Sequence, residues 1–221
     1  MSFSLKTQDL KIQLFSKNIT RKGSHVMTDK IKTDDAVIFI SEAIGGLLQY
    51  KEHIIIAIDG RCGAGKTTLA KALGEKLLCN VIHMDDFFLR PEQRTSKRLS
   101  VPGENIDHER FLCEVLLPLS RGEHFIYKPF DCKTGTFKEA ISVTPGKITV
   151  IEGSYSCHPK LSEYYDLCIF TDTDPQTQLS RIRERNGNTA AEHFKNIWIP
   201  LEEKYFSAYD IKNQCNLKFT F

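Results

Sequence analysis

One stretch of the sequence constrains the fold more than any other. An apolar run of strand length, residues 53–59, leads directly into residues 60–67, which fit the pattern G-x-x-x-x-G-K-T. Residues 68–73 then have the composition and spacing of a helix. Glycines let backbone N–H groups turn towards a common centre, and the helix N-terminus adds partial positive charge there. The order strand, glycine loop, helix therefore predicts a site for the phosphate chain of a nucleotide.

The same motif, known as Walker A, gives individual residues their expected roles. Lys66 is placed to reach the β- and γ-phosphates, and the Thr67 hydroxyl is placed to ligate Mg²⁺. The alternative interpretation is an ordinary glycine-rich turn between a strand and a helix. The expected nucleotide-binding residues are Gly60, Cys62, Gly63, Ala64, Gly65, Lys66, Thr67 and Thr68.

The distribution of charge divides the chain into two parts. Residues 1–33 carry seven Lys/Arg and two Asp/Glu, whereas the 221-residue chain as a whole has a net charge of +2. We expect a basic N-terminal extension over residues 1–33, partly disordered or derived from a cloning tag, and one domain over residues 34–221. The small net charge argues against nucleic acid as the main partner.

Cysteine usage and hydropathy limit the expected location of the protein. Seven cysteines are scattered without any C-x-x-C pair, which favours reduced thiols in a cytoplasmic protein. No apolar run approaches 18 residues, so no membrane span is expected. The sequence leaves a homo-oligomer open.

Acidic residues close two further apolar runs. Asp85 and Asp86 follow residues 80–84, and Glu152 follows residues 147–151. The carboxyl ends of parallel strands meet at the edge of a sheet where ligands bind. We therefore expect Asp85 to be catalytic and Glu152 to hold Mg²⁺ together with Thr67. Asp86 fits equally well as a cap of the next turn.

Two later segments have the character of loops or lids. Residues 90–106 are polar and contain Pro91, Pro102 and Gly103, which is typical of an active-site lid or substrate loop. A helix that begins at Pro175 brings Arg181 and Arg185 to one face, because they are four residues apart. These arginines either clamp the transferring phosphate or form a solvated basic face.

The remaining elements complete an α/β pattern. Five candidate strands alternate with helices, which predicts a parallel sheet covered by helices on both faces. Asp107 is placed to cap a helix that stops at Pro118, and a helix over residues 190–209 is expected to break at Pro200. We interpret the apolar stripe of that last helix as core; its members are Phe194, Ile197, Trp198, Leu201, Tyr205 and Phe206.

The order of these motifs resembles a known family. The Walker A loop is followed by HMDDFFL, NIDHERF, IYKPFDC, VIEGSY and the arginine-bearing segment DLCIFTDTDPQTQLSRIRERNG. Over residues 50–215 the chain resembles the uridine kinase-like P-loop kinases, whose relatives include phosphoribulokinase and pantothenate kinase. The resemblance implies the P-loop NTPase fold, with a five-stranded parallel sheet and helices on both faces.

The resemblance also implies roles for residues outside the loop. Asp85 matches the base that takes the proton of the acceptor hydroxyl, and Asp107 matches the residue that contacts sugar hydroxyls. Tyr127 is the nearest counterpart of a tyrosine close to the nucleoside. Characterised uridine kinases then have a histidine that helps to read the base. Residues 130–135, which include the substrate-binding candidate Asp131, contain no histidine, so the resemblance leaves uracil specificity open.

These observations together predict an ATP-dependent kinase that transfers a γ-phosphoryl group to a hydroxyl of a small molecule. The expected catalytic residues are Asp85, Lys66, Arg181 and Arg185. A nucleoside such as uridine is the first acceptor to consider. A sugar, a sugar phosphate or a pantothenate-like compound is the alternative, as is a regulatory NTPase that has no small-molecule acceptor. The sequence does not decide between ATP and GTP as donor.

Overall fold

A computed structural model describes residues 30–221, and its centre is one sheet of five parallel strands. The strand that precedes the glycine loop lies in the middle of this sheet. The expected extension falls almost wholly outside the described residues. The five strands are β1 (Ile54–Gly60), β2 (Asn80–His83), β7 (Ile148–Glu152), β8 (Leu167–Asp172) and β9 (Leu217–Thr220). Their order across the sheet is β2-β7-β1-β8-β9.

Helices and short segments connect these strands. The fold is the α/β P-loop NTPase fold that the sequence predicts, with the five strands at the predicted places. The helices are α1 (Thr33–Leu47), α2 (Lys66–Leu77), α3 (Ser96–Ser100), α4 (His108–Phe111), α5 (Leu117–Ser120), α6 (Pro175–Asn186), α7 (Asn188–His193), α8 (Ile199–Ala208) and α9 (Ile211–Gln214).

Successive side chains of β1 point to opposite faces of the sheet, and each face packs against its own hydrophobic core. Ile54, Ile56 and Ile58 face a cluster that includes residues of α1 and α2. Ile55 and Ala57 face a second cluster with contributions from α4, α8 and α9. Because both faces are covered, β1 is buried along its whole length. This burial fixes the position of the glycine loop that follows Gly60.

Two helical segments continue through a proline at which the sequence predicts an end or a break. Both predictions, for Pro118 and for Pro200, are wrong. Each proline instead follows a π-helical turn, Leu112–Leu116 in the first case and Phe194–Trp198 in the second. A π-helical turn changes the i→i−4 hydrogen-bond pattern locally, so it accommodates a residue that lacks the N–H donor.

Two small antiparallel hairpin ladders lie between α5 and β7. The strand β3 (Phe125–Tyr127) pairs with β6 (Ile141–Val143), and β4 (Phe130–Asp131) pairs with β5 (Thr136–Phe137). They build the segment in which the sequence indicates a short extended stretch. Among the helices of residues 30–221, none combines the length and apolar character needed to cross a bilayer.

Candidate active site

A cleft of about 810 Å³ opens at the carboxyl ends of the central strands. This volume falls in the range of about 300–1,000 Å³ that is typical of small-ligand sites. The glycine loop, Asp85, Glu152, Arg181 and Arg185 all line it, so residues far apart in sequence meet at the edge that the strand pattern predicts. The cleft is the candidate active site.

The glycine loop forms one wall of the cleft. Gly63 and Gly65 have φ values of +75° and +85°, which glycine adopts without strain. The helix α2 begins at Lys66, and the first N–H groups of a helix have no intrahelical acceptor, so they can bind an anion. The Lys66 ammonium donates to the carbonyl oxygens of Gly60 and Arg61 at 2.7 and 3.0 Å. The cleft-lining members of the loop are Cys62, Gly63, Gly65, Lys66, Thr67 and Thr68.

Two of the expected nucleotide-binding residues lie behind the loop. Gly60 and Ala64 do not line the cleft. Gly60 has φ +134°, and a Cβ at this position would lie 2.0 Å from the carbonyl oxygen of Thr171 on β8. Ala64 is fully buried. Close packing therefore explains why positions 60 and 64 carry small residues. The other six positions line the cleft.

A pair of oxygen ligands lies beside the loop. The Thr67 hydroxyl is 3.1 Å from Glu152 Oε2, as the Mg²⁺ prediction requires. The opposite oxygen, Glu152 Oε1, lies 2.6 Å from His83 Nδ1, and this hydrogen bond raises the pKa of His83. Hydroxyl and carboxylate oxygens are the ligands that Mg²⁺ prefers, so the donor set fits this ion.

Asp85 lines the same cleft next to the turn after β7. The Asp85 side chain is open to the cleft, yet the protein around it removes enough solvent to raise its pKa to about 6; the charge of Glu152 adds to the increase, and Lys66 opposes it. Gly153 permits this close approach, because a Cβ there would lie 2.8 Å from Met84 Cβ and 3.4 Å from Asp85 Oδ1. A carboxylate with this pKa is ionised at neutral pH and yet basic enough to accept a proton.

The arginines of α6 lie where the spacing argument predicts. Arg181 and Arg185 line the cleft, whereas Arg183 does not. One Nη of Arg181 donates to the Gly63 carbonyl at 3.0 Å, which holds its guanidinium against the loop. The register of the arginines is therefore the one in which residues four apart share a face.

Three predicted substrate-binding residues do not line the cleft. Asp107 caps α4 through Arg110 N and accepts from Gln93 Nε2 at 2.7 Å. Tyr127 is buried, and its hydroxyl is 3.4 Å from Asp86 Oδ2.

Asp131, the third of these residues, is hydrogen-bonded within its own turn. Its Oδ1 accepts from Lys133 N at 2.8 Å, and Lys138 Nζ lies 3.7 Å from Oδ2. The backbone hydrogen bond from Lys133 and the neighbouring lysines lower the pKa of Asp131. The side chains of Asp107, Tyr127 and Asp131 have protein partners away from the cleft. Their expected roles in substrate binding stay predictions.

The aromatic helix is only partly core. Tyr205 and Phe206 are buried as predicted, but Phe194 and Trp198 line the cleft and Ile197 is exposed. The Trp198 ring lies 6.1 Å from that of Phe88, which also lines the cleft. The prediction that this whole stripe is core is therefore wrong, because the π-helical turn at Phe194–Trp198 shifts the face that its side chains present.

Sequence reasoning missed two acids that support the glycine loop. Asp59 is fully buried; its Oδ1 accepts from Gly60 N and Tyr155 N, and its Oδ2 from Cys157 N and the Tyr205 hydroxyl. Burial raises the pKa of Asp59 to about 6. In the sequence, Asp59 is simply the polar residue that ends an apolar run. This pattern is too common to indicate that the residue supports the glycine loop.

Glu202, the second acid, reaches the loop from α8. Its Oε2 accepts from Cys62 N at 3.0 Å, and its Oε1 accepts from the Ser154 hydroxyl at 2.5 Å. This carboxylate ties the glycine loop to the segment after β7. No sequence signal identifies it, because its partners are more than 40 positions away.

The chain is similar in sequence to several known kinases. No family model matches the chain. The uridine kinase of Halalkalibacterium halodurans is 32% identical over 152 residues, which cover 61% of this chain and 70% of that protein. Uridine kinase-like protein 5 of Arabidopsis thaliana is 27% identical over 158 residues, 66% of this chain and 33% of that protein. The chain thus spans about a third of the plant relative.

Solved structures share the architecture. The structure of a possible uridine kinase from Bacillus stearothermophilus superposes with a TM-score of 0.62 at 19% identity, covering 86% of this chain and 100% of the other. At this identity the likeness shows the fold alone. It agrees with the five-stranded parallel sheet described above.

Proposed function

The chain belongs to the uridine kinase-like family of P-loop kinases, and we propose from this premise that it transfers the γ-phosphoryl group of ATP to a hydroxyl of a small molecule. Membership makes it a phosphotransferase that acts on a small molecule. The donor, the hydroxyl acceptor and the residue roles below belong to the proposal. The observation that carries it is the meeting of the glycine loop, Asp85 and Glu152 in one cleft.

The loop side of the cleft fits a triphosphate. Backbone N–H groups at the start of α2, together with Lys66, would hold the β- and γ-phosphates. Arg181 is held against the loop and would neutralise charge that develops on the transferring group. Thr67 and Glu152 would hold Mg²⁺, which would offset the negative charge of the phosphates.

The acceptor side is defined by Asp85. With a pKa of about 6, its carboxylate is ionised at neutral pH and can accept the proton of a bound hydroxyl as the oxygen attacks phosphorus. Such a positioned base contributes roughly 10²–10⁴ in rate. A protein that only hydrolyses nucleotide as a switch does not need a carboxylate on this side, and so the geometry favours a kinase.

Two classes of acceptor hydroxyl are consistent with the family. A nucleoside is supported by the relatives, which are named as uridine kinases, and by Phe88 and Trp198, whose rings offer an apolar wall to a base. A non-nucleoside acceptor is supported by residues 130–135, which lack the histidine expected of a uracil reader.

The test is acceptor-dependent ADP release in the presence of ATP and Mg²⁺. A panel of nucleosides, sugars, sugar phosphates and hydroxy acids is expected to contain a compound that increases ADP release and becomes phosphorylated. Asp85→Asn should lower kcat by roughly 10²-fold or more while ATP binding is retained. Asp35→Asn is the matched control, since Asp35 is exposed and does not line the cleft.

Two results would contradict the proposal. Near-normal turnover of Asp85→Asn would show that the assigned base is wrong. ATP hydrolysis that no acceptor alters, and that is equal in wild type and Asp85→Asn, would favour the regulatory NTPase instead.

A further inference from the structure

Two cationic side chains line the cleft in addition to those of the glycine loop and α6. Arg94 and Lys133 both line the cleft. Arg94 follows a short 3₁₀ turn, Pro91–Gln93, after β2, and Lys133 lies in the turn between β4 and β5. Two segments that are distant in sequence therefore each contribute one positive charge to the same cleft.

Neither charge forms a close ion pair with a carboxylate. Within residues 30–221, no carboxylate oxygen lies within 4 Å of the Arg94 guanidinium or the Lys133 ammonium. The neighbouring arginines behave differently, since Arg90, Arg98 and Arg110 each have a glutamate within this distance. Cations without a protein counter-ion inside a ligand cleft are most simply explained by an anionic ligand.

The Arg94 side chain is oriented rather than free. Its Nε donates to the Leu89 carbonyl at 3.0 Å, and one Nη lies 3.5 Å from Cys132 Sγ. Sulfur is a weak acceptor, so a phosphate or carboxylate oxygen that took its place would form a much stronger, charge-assisted hydrogen bond. The guanidinium is thus held in position while part of its donor capacity remains available.

Cys132 connects this cationic pair to the candidate base. Burial raises the pKa of the Cys132 thiol, Arg94 lowers it, and the charges of Asp131 and Asp85 raise it again. The thiol therefore lies within electrostatic range of both Arg94 and Asp85. Asp85, Arg94 and Lys133 line the same cleft, so one small molecule bound there can contact all three.

The triphosphate does not account for this pair. Lys66, Arg181 and Arg185 already supply three positive charges at the loop end of the cleft. The carboxylate closest in sequence, Asp131, feels the charge of Lys133, but it accepts from the Lys133 backbone N–H, lies near Lys138 and does not line the cleft.

From these observations we infer that the acceptor carries an anionic group, a phosphate or a carboxylate, in addition to the hydroxyl that is phosphorylated, and that Arg94 and Lys133 bind this group. The inference rests on the proposed kinase function and names its substrate class. It selects an anionic hydroxy compound over a neutral nucleoside.

The experiment compares acceptors that differ only in charge. One series is glycerol, glycerate and glycerol 3-phosphate; the other is ribose, ribonate and ribose 5-phosphate; uridine is measured beside them. The expected result is that an anionic member has a kcat/KM at least tenfold above its neutral counterpart and above uridine. Comparison within a series then distinguishes a carboxylate from a phosphate.

Variants test the two cations directly. Arg94→Gln and Lys133→Gln should each raise KM for the anionic acceptor about 10- to 100-fold, the range for loss of one charge-assisted contact. KM for ATP should change less than twofold, which separates an acceptor contact from a phosphate clamp. Both side chains are exposed, so the variants should fold. Arg121→Gln is the matched control, because Arg121 is exposed and paired with Glu123 outside the cleft.

Three outcomes would overturn the inference. They are no phosphorylation of any anionic compound, an unchanged KM of the anionic acceptor in Arg94→Gln and Lys133→Gln, and a rise in KM for ATP instead. Phosphorylation of uridine alone, with Arg94→Gln without effect, would leave the proposed kinase function standing. If no compound at all increases ADP release, the kinase proposal fails as well.

Discussion

The contact between Gly60 and β8 allows a prediction that can be worked out from distances. Gly60 pairs with Thr171 in the parallel register of β1 and β8. In Gly60→Ala the new Cβ would lie 2.0 Å from the Thr171 carbonyl oxygen and 2.7 Å from its backbone nitrogen. Backbone atoms of a central strand cannot move aside as a flexible side chain can, so β1 and β8 must separate locally.

The magnitude follows from two contributions. A non-glycine residue at φ +134° costs about 1–3 kcal/mol, and an overpacked contact costs typically another 1–3 kcal/mol. The lower entropy of the unfolded alanine chain offsets about 0.4–1 kcal/mol. We expect a net loss of about 1–6 kcal/mol in the free energy of unfolding. For a chain of this size, each kcal/mol lost lowers Tm by roughly 2–4 °C.

The matched control is Gly135→Ala. Gly135 also has a positive φ, +70°, but no atom lies within 4 Å of a Cβ built there. This variant should lose only the backbone strain, about 1–2 kcal/mol. Urea unfolding followed by circular dichroism measures both. Equal losses for Gly60→Ala and Gly135→Ala would refute the argument that the contact with β8 requires glycine at position 60.

Three further predictions concern the acids of the site. Because Asp85 must be ionised to accept a proton and its pKa is about 6, kcat/KM should fall about tenfold per pH unit below pH 6 and level off above it; a flat profile from pH 5 to 8 would contradict this. Glu152→Gln should raise the Mg²⁺ concentration for half-maximal rate at least tenfold, roughly the loss of one charged ligand, and an unchanged Mg²⁺ titration would refute the Thr67–Glu152 site. Asp59→Asn turns an amide NH₂ towards buried N–H or hydroxyl donors, so unfolding free energy should fall by at least about 2 kcal/mol; an unchanged urea midpoint would refute it.

Features that depend on local sequence were predicted well. The loop follows from its glycine pattern and the five strands from short apolar runs, and the structure contains both. The placement of Asp85 and Glu152 in one cleft needed only the rule that parallel strands end at a common edge. The order of the strands was not predicted. In the sheet β7 lies between β2 and β1, although it follows β2 by about 70 residues in the chain.

Features that depend on long-range packing were predicted less well. Asp107 and Tyr127 have polar partners of their own, Gln93 and Asp86, which no spacing rule identifies. Trp198 was assigned to the core because helical spacing assumes 3.6 residues per turn, and a π-helical turn breaks that assumption. Arg94 and Lys133 carry no motif, so only the folded cleft shows that they lie together.

The most direct test of the account follows the γ-phosphoryl group itself. The protein is incubated with ATP labelled at the γ-phosphate, Mg²⁺ and the acceptor panel, and the labelled products are separated. The account predicts label in a phosphorylated acceptor in the wild type and at least about 10²-fold less in Asp85→Asn. Label that appears only as inorganic phosphate, in equal amounts with and without every acceptor, would contradict it.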